Sequence, residues 1–175
     1  MVNLSIIVTC GEQQTQLRQL LPQLLSLRYG GDCDVIVVDK VHDKDLEEWL
    51  EDMEAQYSYL SHTFCPTTAK GIDINRLALT LGAKAACHEW VVIVPVDVKL
   101  PGDDWLQKLT AKLGEVMDIR VGLTEVKRRW NWFQSYLFRR KFSLFRCTSA
   151  IILCQRGSLI QGKPVKLSKR QIIKL

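Results

Sequence analysis

The sequence predicts an α/β fold, a mostly parallel sheet with helices on both faces. Three observations predict it. Runs of apolar, largely β-branched residues at Leu4–Val8, Val35–Val38 and Trp90–Val96 show no polar alternation, as expected of strands covered on both sides. The segments between them place leucines at helical spacing, so strand and helix alternate along the chain. Two of the apolar runs lead into a single acid, Asp39 and Asp97, and in open α/β sheets such strand ends border the ligand crevice.

The first strand, Leu4–Val8, leads through Thr9-Cys10-Gly11-Glu12 to a helix carrying Leu17, Leu20, Leu21, Leu24 and Leu25. Pro22 lies inside that pattern and is expected to kink the helix, since it lacks an N–H and crowds the preceding turn. After the turn Tyr29-Gly30-Gly31-Asp32 comes the second strand, closed by Asp39. Asp43 then caps a helix burying Leu46, Trp49, Leu50 and Met53, with Asp45, Glu47 and Glu48 near its positive end.

Tyr59–Phe64 reads as a third strand whose polarity suits an edge, closed by Pro66-Thr67-Thr68. Asp73 caps a helix with Leu77, Leu81 and Ala85 on one face, and Gly82 allows close approach to the sheet. The strand running to Asp97 follows, then a helix from Asp103 or Asp104 that buries Trp105, Leu106, Leu109 and Leu113. Ile119–Thr124 and Thr148–Cys154 complete the strands, and residues 162–175 show no periodicity that assigns them.

A length of 175 residues suits one domain with an appended segment. The apolar share of 47% and charged share of 25% are those of a soluble globular protein, and no apolar run is long enough to span a bilayer. With no signal-like start, the expected location is the cytosol. The six cysteines form no Cys-x-x-Cys pair and sit among apolar neighbours, which suits buried free thiols better than disulfides or zinc.

Charge divides the chain. Residues 1–125 hold 11 Lys/Arg against 19 Asp/Glu, whereas residues 126–175 hold 13 Lys/Arg and no acid. The organisation is therefore an acidic α/β domain over 1–125 and a basic, aromatic-rich segment over 126–175 that completes or flanks it. Within that segment, Lys127–Arg146 packs seven aromatic rings and seven cations into twenty residues. Part of the ring set, Trp130 and Phe133, has together with Leu137 the spacing of a helix packed on a sheet. The best functional addition is peripheral contact with an anionic membrane through 127–146, with nucleic acid the disfavoured partner.

The candidate site residues each carry two readings. Asp97 either faces a ligand or caps the Pro101-Gly102 turn or pairs with Lys99, and the ligand reading is preferred. Asp39 divides evenly between ligand contact and capping. Glu12 is a ligand acid or a helix-start acid, and Arg76 a phosphate contact or a solvated cation. His42, His62 and His88 lack metal-ligand spacing.

Taken together, Ser5-Ile-Ile-Val8 followed by Glu12, Val35–Asp39, Leu77–Ala86, His88–Asp97 and Asp104-Trp-Leu106 resemble the successive blocks of the family 2 glycosyltransferases, over roughly residues 3–125. The resemblance implies the GT-A fold, that of nucleotide-diphospho-sugar transferases. It also implies transfer from a nucleotide-sugar donor to a saccharide or lipid-linked acceptor. By it, Thr9 and Glu12 in the loop after Val8 and the acid Asp39 contact the nucleotide, while Arg76 stays a candidate phosphate contact on its position alone. Asp97 is then the second acid of the Asp-x-Asp metal motif, on a divalent cation, Mg²⁺ or Mn²⁺.

Three departures temper what it implies. The motif's first acid is Pro95, so the metal site is weakened or lost, and Lys40 stands where a second acid often follows Asp39. Members of the family also draw a carboxylate base from a later acceptor-side region, and residues 126–175 contain none. The alternative is a catalytically degenerate GT-A domain that binds a nucleotide or a partner.

Overall fold

The computed structural model describes residues 2–66, 72–111, 113, 119–123, 151–161 and 172–174. The strands are β1 (Leu4–Cys10), β2 (Cys33–Asp39), β3 (Leu60–Phe64), β4 (Trp90–Pro95), β5 (Ile119–Leu123), β6 (Ile151–Gln155) and β7 (Ile172–Lys174). The helices are α1 (Gln14–Leu25), α2 (Lys44–Gln56), α3 (Ile74–Ala85), α4 (Trp105–Thr110) and α5 (Arg156–Gln161). One sheet holds all seven strands in the order β3-β2-β1-β4-β6-β5-β7.

The predicted mostly parallel sheet is present. β1 pairs in parallel with β2 and with β4, so that Thr9 lies opposite both Val38 and Pro95, and β2 pairs in parallel with β3. Only β6 runs against its neighbours, β4 and β5. The chain moves outward from β1 to β3 and then returns across the sheet to β4. Right-handed crossovers place helices on opposite faces when the direction of travel reverses. Accordingly α1 and α2 pack on one face, over Ile6, Val8, Val35 and Val37, and α3 on the other, over Ile7, Ile36 and Val38.

The strands form because their side chains have apolar cover on both sides. Ile6, Ile7, Val8, Val35, Ile36, Val37 and Val38 are all essentially inaccessible to water. β4 stops at Pro95, which has no N–H to continue a ladder and is tolerated at a strand's end. β3 occupies the edge, as its polarity predicts. The His62 N–H is taken by the Glu54 carboxylate instead of a strand, and His62 Nδ1 lies 2.8 Å from the same oxygen. A capped N–H of this kind makes the open edge a poorer template for another chain.

Both predicted aspartate caps are in place. Asp43 accepts from the Leu46 N–H at 3.1 Å, and Asp73 accepts from the Asn75 N–H at 3.0 Å. On α2, Leu46 and Leu50 are buried, while Trp49 and Met53 pack at the core's margin and Arg18 lies over the Trp49 ring at 4.5 Å. α1 runs unbroken from Gln14 to Leu25 through Pro22. The proline sits in the last turn, where only its own missing N–H is lost, and its carbonyl still accepts from Ser26 at 3.0 Å.

The buried face of α3 differs from the expected one. Ala78, Leu79, Gly82 and Ala83 face the sheet, with Ala86 just past the helix, whereas Leu77 and Leu81 lie at the margin and Ala85 is exposed. Small residues win this face because the helix lies close to the strands. A Cβ on Gly82 would stand 2.7 Å from Ile7 Cγ2 and 3.2 Å from Val38 Cγ2. On α4, Trp105, Leu106 and Leu109 are buried as predicted, with Leu113 packed beside them.

At the start of β2, Asp34 ties three segments together. It accepts from Ser5 Oγ at 2.6 Å and from the Cys87 N–H at 3.4 Å, and lies 3.4 Å from His88 Nε2. Of the cysteines, 10, 33, 65, 87 and 154 are free. Cys10, Cys65 and Cys154 are buried as expected, Cys33 is half-buried and Cys87 is exposed. Cys147, the Lys127–Arg146 segment and the ends of the Ile119–Thr124 and Thr148–Cys154 strands lie outside the described residues. No helix among the described residues is long and apolar enough to cross a membrane.

Gly82→Ala separates packing from propensity. Helix propensity alone gives alanine an advantage of about 1 kcal/mol, whereas forcing a methyl against Ile7 costs about 1–3 kcal/mol. The expected result is a lower urea midpoint with unchanged slope, and a raised midpoint contradicts the close approach. The thiols give a second prediction. Burial pushes Cys33 and Cys154 from the ordinary 9.0 up to about 12. Because the folded values lie above the unfolded ones, stability is intact below pH 9 and falls as pH rises toward 12. Urea midpoints measured from about pH 7.5 to 10.5 should decline above about 9 in the wild type and decline less in Cys154→Ala.

Candidate active site at the strand ends

β1, β2 and β4 end side by side, and the chain's direction of travel reverses between β1 and β4. That places the crevice of an open α/β sheet at this edge. β1 delivers Thr9, which is half-buried, and then the buried Gly11 and the exposed Glu12. β2 delivers Asp39 and Lys40. The backbone ladders continue past both strands, with Lys40 N–H donating to the Cys10 carbonyl and Cys65 N–H to the Asp39 carbonyl, each at 2.8 Å.

Asp39 is one of two buried polar side chains among the described residues, 4% exposed. Its carboxylate folds back onto its own loop. Oδ1 accepts from the Val41 N–H and Oδ2 from the Asp43 N–H, both at 2.8 Å. The cap of α2 is Asp43, while the loop Lys40–Asp43 takes its shape from these two bonds. They also support His42 in the left-handed region, φ 58°. There its ring stacks on Phe64 at 3.9 Å and its Nε2 lies 3.5 Å from Glu47.

Lys40 crosses the edge in the other direction. Its stem lies on Gly11, where a Cβ would stand 3.3 Å from Lys40 Cε, and its ammonium donates to Asn75 Oδ1 at 3.2 Å. Asn75 and Arg76 are the second and third residues of α3, and Arg76 is exposed with its N–H directed to Asp73 at 3.4 Å. In the sequence, Lys40 stands out only as a departure from the resembled pattern. Its seat on Gly11 and its contact with a residue 35 positions away leave no local signal.

Two thiols adjoin this edge. Burial, reinforced by the Asp39 carboxylate and offset in part by Lys40, pushes Cys10 up to about 11, and the same causes raise Cys65. Both stay protonated near neutral pH, which suits packing and not nucleophilic attack.

Asp97 lies two residues past β4, in a turn closed by Val98 N–H to the Pro95 carbonyl at 3.2 Å. It is exposed and, among the described residues, has no hydrogen-bond or ion-pair partner, so it neither caps Pro101-Gly102 nor pairs with Lys99. Glu12 is likewise exposed and precedes α1 by two residues, outside the helix's first turn.

The donor set fits a resident divalent cation poorly. Asp97 is a lone carboxylate with Pro95 where a second would stand, and both Asp39 oxygens already accept backbone N–H groups. Among the described residues no three His, Cys, Asp or Glu side chains gather as ligands. A hard cation needs about six or more oxygens and takes most of them from protein only in a dedicated cage.

Two grooves among the described residues lie elsewhere. One of about 590 Å³ runs between the C-terminal end of α1 and Leu100–Asp103, and one of about 530 Å³ lies beside Asp34 and His88 at the strands' starting edge. The strand-end edge is preferred because Thr9, Asp39, Lys40, Asn75 and Asp97 come to it from four different segments, whereas the polar groups beside Asp34 satisfy one another.

No protein-family model matches the sequence, and no curated protein matches it. Solved structures do match its fold. The mannosyltransferase PcManGT of Pyrobaculum calidifontis, in complex with GDP-Man and Mn²⁺, superposes with a TM-score of 0.65 at 16% identity over 99% of this chain and 56% of its own. S. aureus TarS 1-349 gives 0.62 at 17% identity over 91% of this chain and 48% of its own. Glucosyl-3-phosphoglycerate synthase from Mycobacterium tuberculosis, in complex with Mn²⁺, UDP and glucosyl-3-phosphoglycerate, gives 0.57 at 14% identity over 89% and 57%. The chain thus spans about half the length of these structures. Its order of strands and helices and its superposition on these enzymes identify the fold as GT-A glycosyltransferase-like.

Proposed function

We propose that the chain is the donor-binding part of a nucleotide-sugar-dependent glycosyltransferase, with the nucleotide at the ends of β1, β2 and β4. The observation that carries this is the gathering of Thr9, Asp39, Lys40 and Asp97 at the reversal point of a GT-A-like sheet. Solved structures of that fold are described with GDP-Man, UDP and UDP-GlcNAc. Thr9 and the loop held by Asp39 line the nucleotide, with Arg76 at the α3 side. Asp97 faces the sugar–diphosphate end, where it is a protein ligand for a cation that arrives with the diphosphate.

Transfer breaks the bond between the anomeric carbon and the diphosphate oxygen and joins that carbon to an acceptor hydroxyl, whose proton goes to a base. The acceptor class is a saccharide or a lipid-linked saccharide, the latter met through the basic, aromatic 127–146 segment at a membrane surface. Residues 126–175 hold no Asp or Glu to serve as that base. Pro95 in place of the metal motif's first acid favours a second reading, a nucleotide-binding GT-A domain without transfer of its own.

A thermal-shift panel of UDP, GDP and their sugar conjugates tests the binding half. At a ligand concentration of about 100 Kd, binding stabilises by about 2.7 kcal/mol, several degrees for a domain of this size. No shift with any nucleotide contradicts the proposal. Among nucleotides that bind, release of nucleoside diphosphate from the sugar conjugate, lost in Asp97→Asn, supports transfer. Binding without release selects the second reading.

A further inference from the structure

We propose that Lys40 supplies the positive charge that a donor diphosphate meets at this edge, so that nucleotide binding does not depend on a divalent cation. The inference rests on the donor-binding reading and adds to it a residue and a cation requirement that the resemblance does not carry. It begins from the misfit already described. Charge at the strand ends must oppose a diphosphate, yet Asp97 alone cannot hold a resident metal and Asp39 has both oxygens committed to Val41 and Asp43.

Lys40 has the properties such a group needs. Its backbone is anchored by the bond from its N–H to Cys10, and its stem rests on Gly11 where any larger residue would crowd it. The ammonium is therefore held in place before a ligand arrives, which reduces the ordering cost of binding. Its one polar contact among the described residues is the neutral Asn75 Oδ1, which uses one of three donors.

Neither adjacent acid forms an ion pair with it among the described residues: Asp39 keeps its charge but directs both oxygens to its own loop, and Asp73 caps α3. The field of Lys40 reaches the neighbouring strand ends, where it offsets part of the upward push that burial and the Asp39 carboxylate, the larger of the two charge effects, exert on Cys10 and Cys65. A half-buried cation with two free donors and no carboxylate partner among the described residues is built to meet anionic oxygen, for which lysine acts as a compact point charge.

The competing role is a clamp, Lys40 joining the β2 loop to α3 through Asn75. Lys40→Gln distinguishes the two, since the glutamine amide keeps a donor for Asn75 and loses the charge, while Lys40→Arg keeps the charge. Calorimetric titration with UDP and with GDP is done in EDTA and again with excess Mn²⁺, alongside the melting temperature of each unliganded protein. Loss of a hydrogen bond to a charged group predicts a Kd weakened about ten- to a hundred-fold in Lys40→Gln.

The expected results are wild-type binding in EDTA, little change on adding Mn²⁺, that loss in Lys40→Gln, retention in Lys40→Arg, and equal unliganded melting temperatures. Binding that requires Mn²⁺, or that is equal in wild type and Lys40→Gln, overturns this inference and leaves the donor-binding reading standing. A weakened Kd accompanied by a lower unliganded melting temperature makes Lys40 a clamp and also overturns it. If neither nucleotide binds under either condition, the donor-binding reading falls and this inference falls with it.

Discussion

The parallel pairing of β1 with β2 on one side and β4 on the other is the constraint on which the site depends. It sets Thr9 opposite both Val38 and Pro95, so that three strands end together. It also forces the chain to reverse its direction across the sheet, which sends α1 and α2 to one face and α3 to the other. The close seat of α3, possible only because position 82 is glycine, brings Asn75 and Arg76 to the same edge as Lys40. Packing deep in the sheet and chemistry at its rim are in this way one arrangement.

At that rim, charge is distributed differently from what a row of strand-end acids suggests. Asp39 is inward-looking, since each of its oxygens accepts a backbone N–H of the loop that follows. Those bonds matter because Asp39 is buried, and a buried carboxylate is costly unless hydrogen bonds replace its water. The acid stabilises a loop, and the next residue, Lys40, presents a cation above Gly11. The edge therefore combines an internally satisfied carboxylate, a positioned ammonium and the exposed carboxylates of Asp97 and Glu12.

Much of the fold is legible in the sequence because its signals are local. Apolar runs without alternation locate β1, β2 and β4, and an aspartate shortly before the first apolar helical position locates the caps at Asp43 and Asp73. The polar character of Tyr59–Phe64 identifies an edge strand. The buried face of α3 is hidden because the leucines at 77 and 81 are larger than its alanines and glycine, yet the short helix-to-sheet distance selects small residues. β7, three residues long, is too short to carry a period. At the site, Asp39 and Asp97 are recognisable as strand-end acids. Which of them is already engaged is not, because bonds from Asp39 to the N–H groups of residues 41 and 43 leave no trace in composition. Lys40 gains its place through a contact with Asn75 that only the fold creates.

On this structure the strand-end edge receives a nucleoside diphosphate, and neither the groove beside the end of α1 nor the one beside Asp34 does. Amide chemical-shift mapping during titration with UDP or GDP tests it most directly. The account predicts concentrated shifts at Gly11, Lys40, Val41, Asn75 and Asp97, with Leu27, Asp34 and Cys87 at the opposite edge unmoved. Shifts confined to Leu27, Asp34, Cys87 and His88 would contradict it.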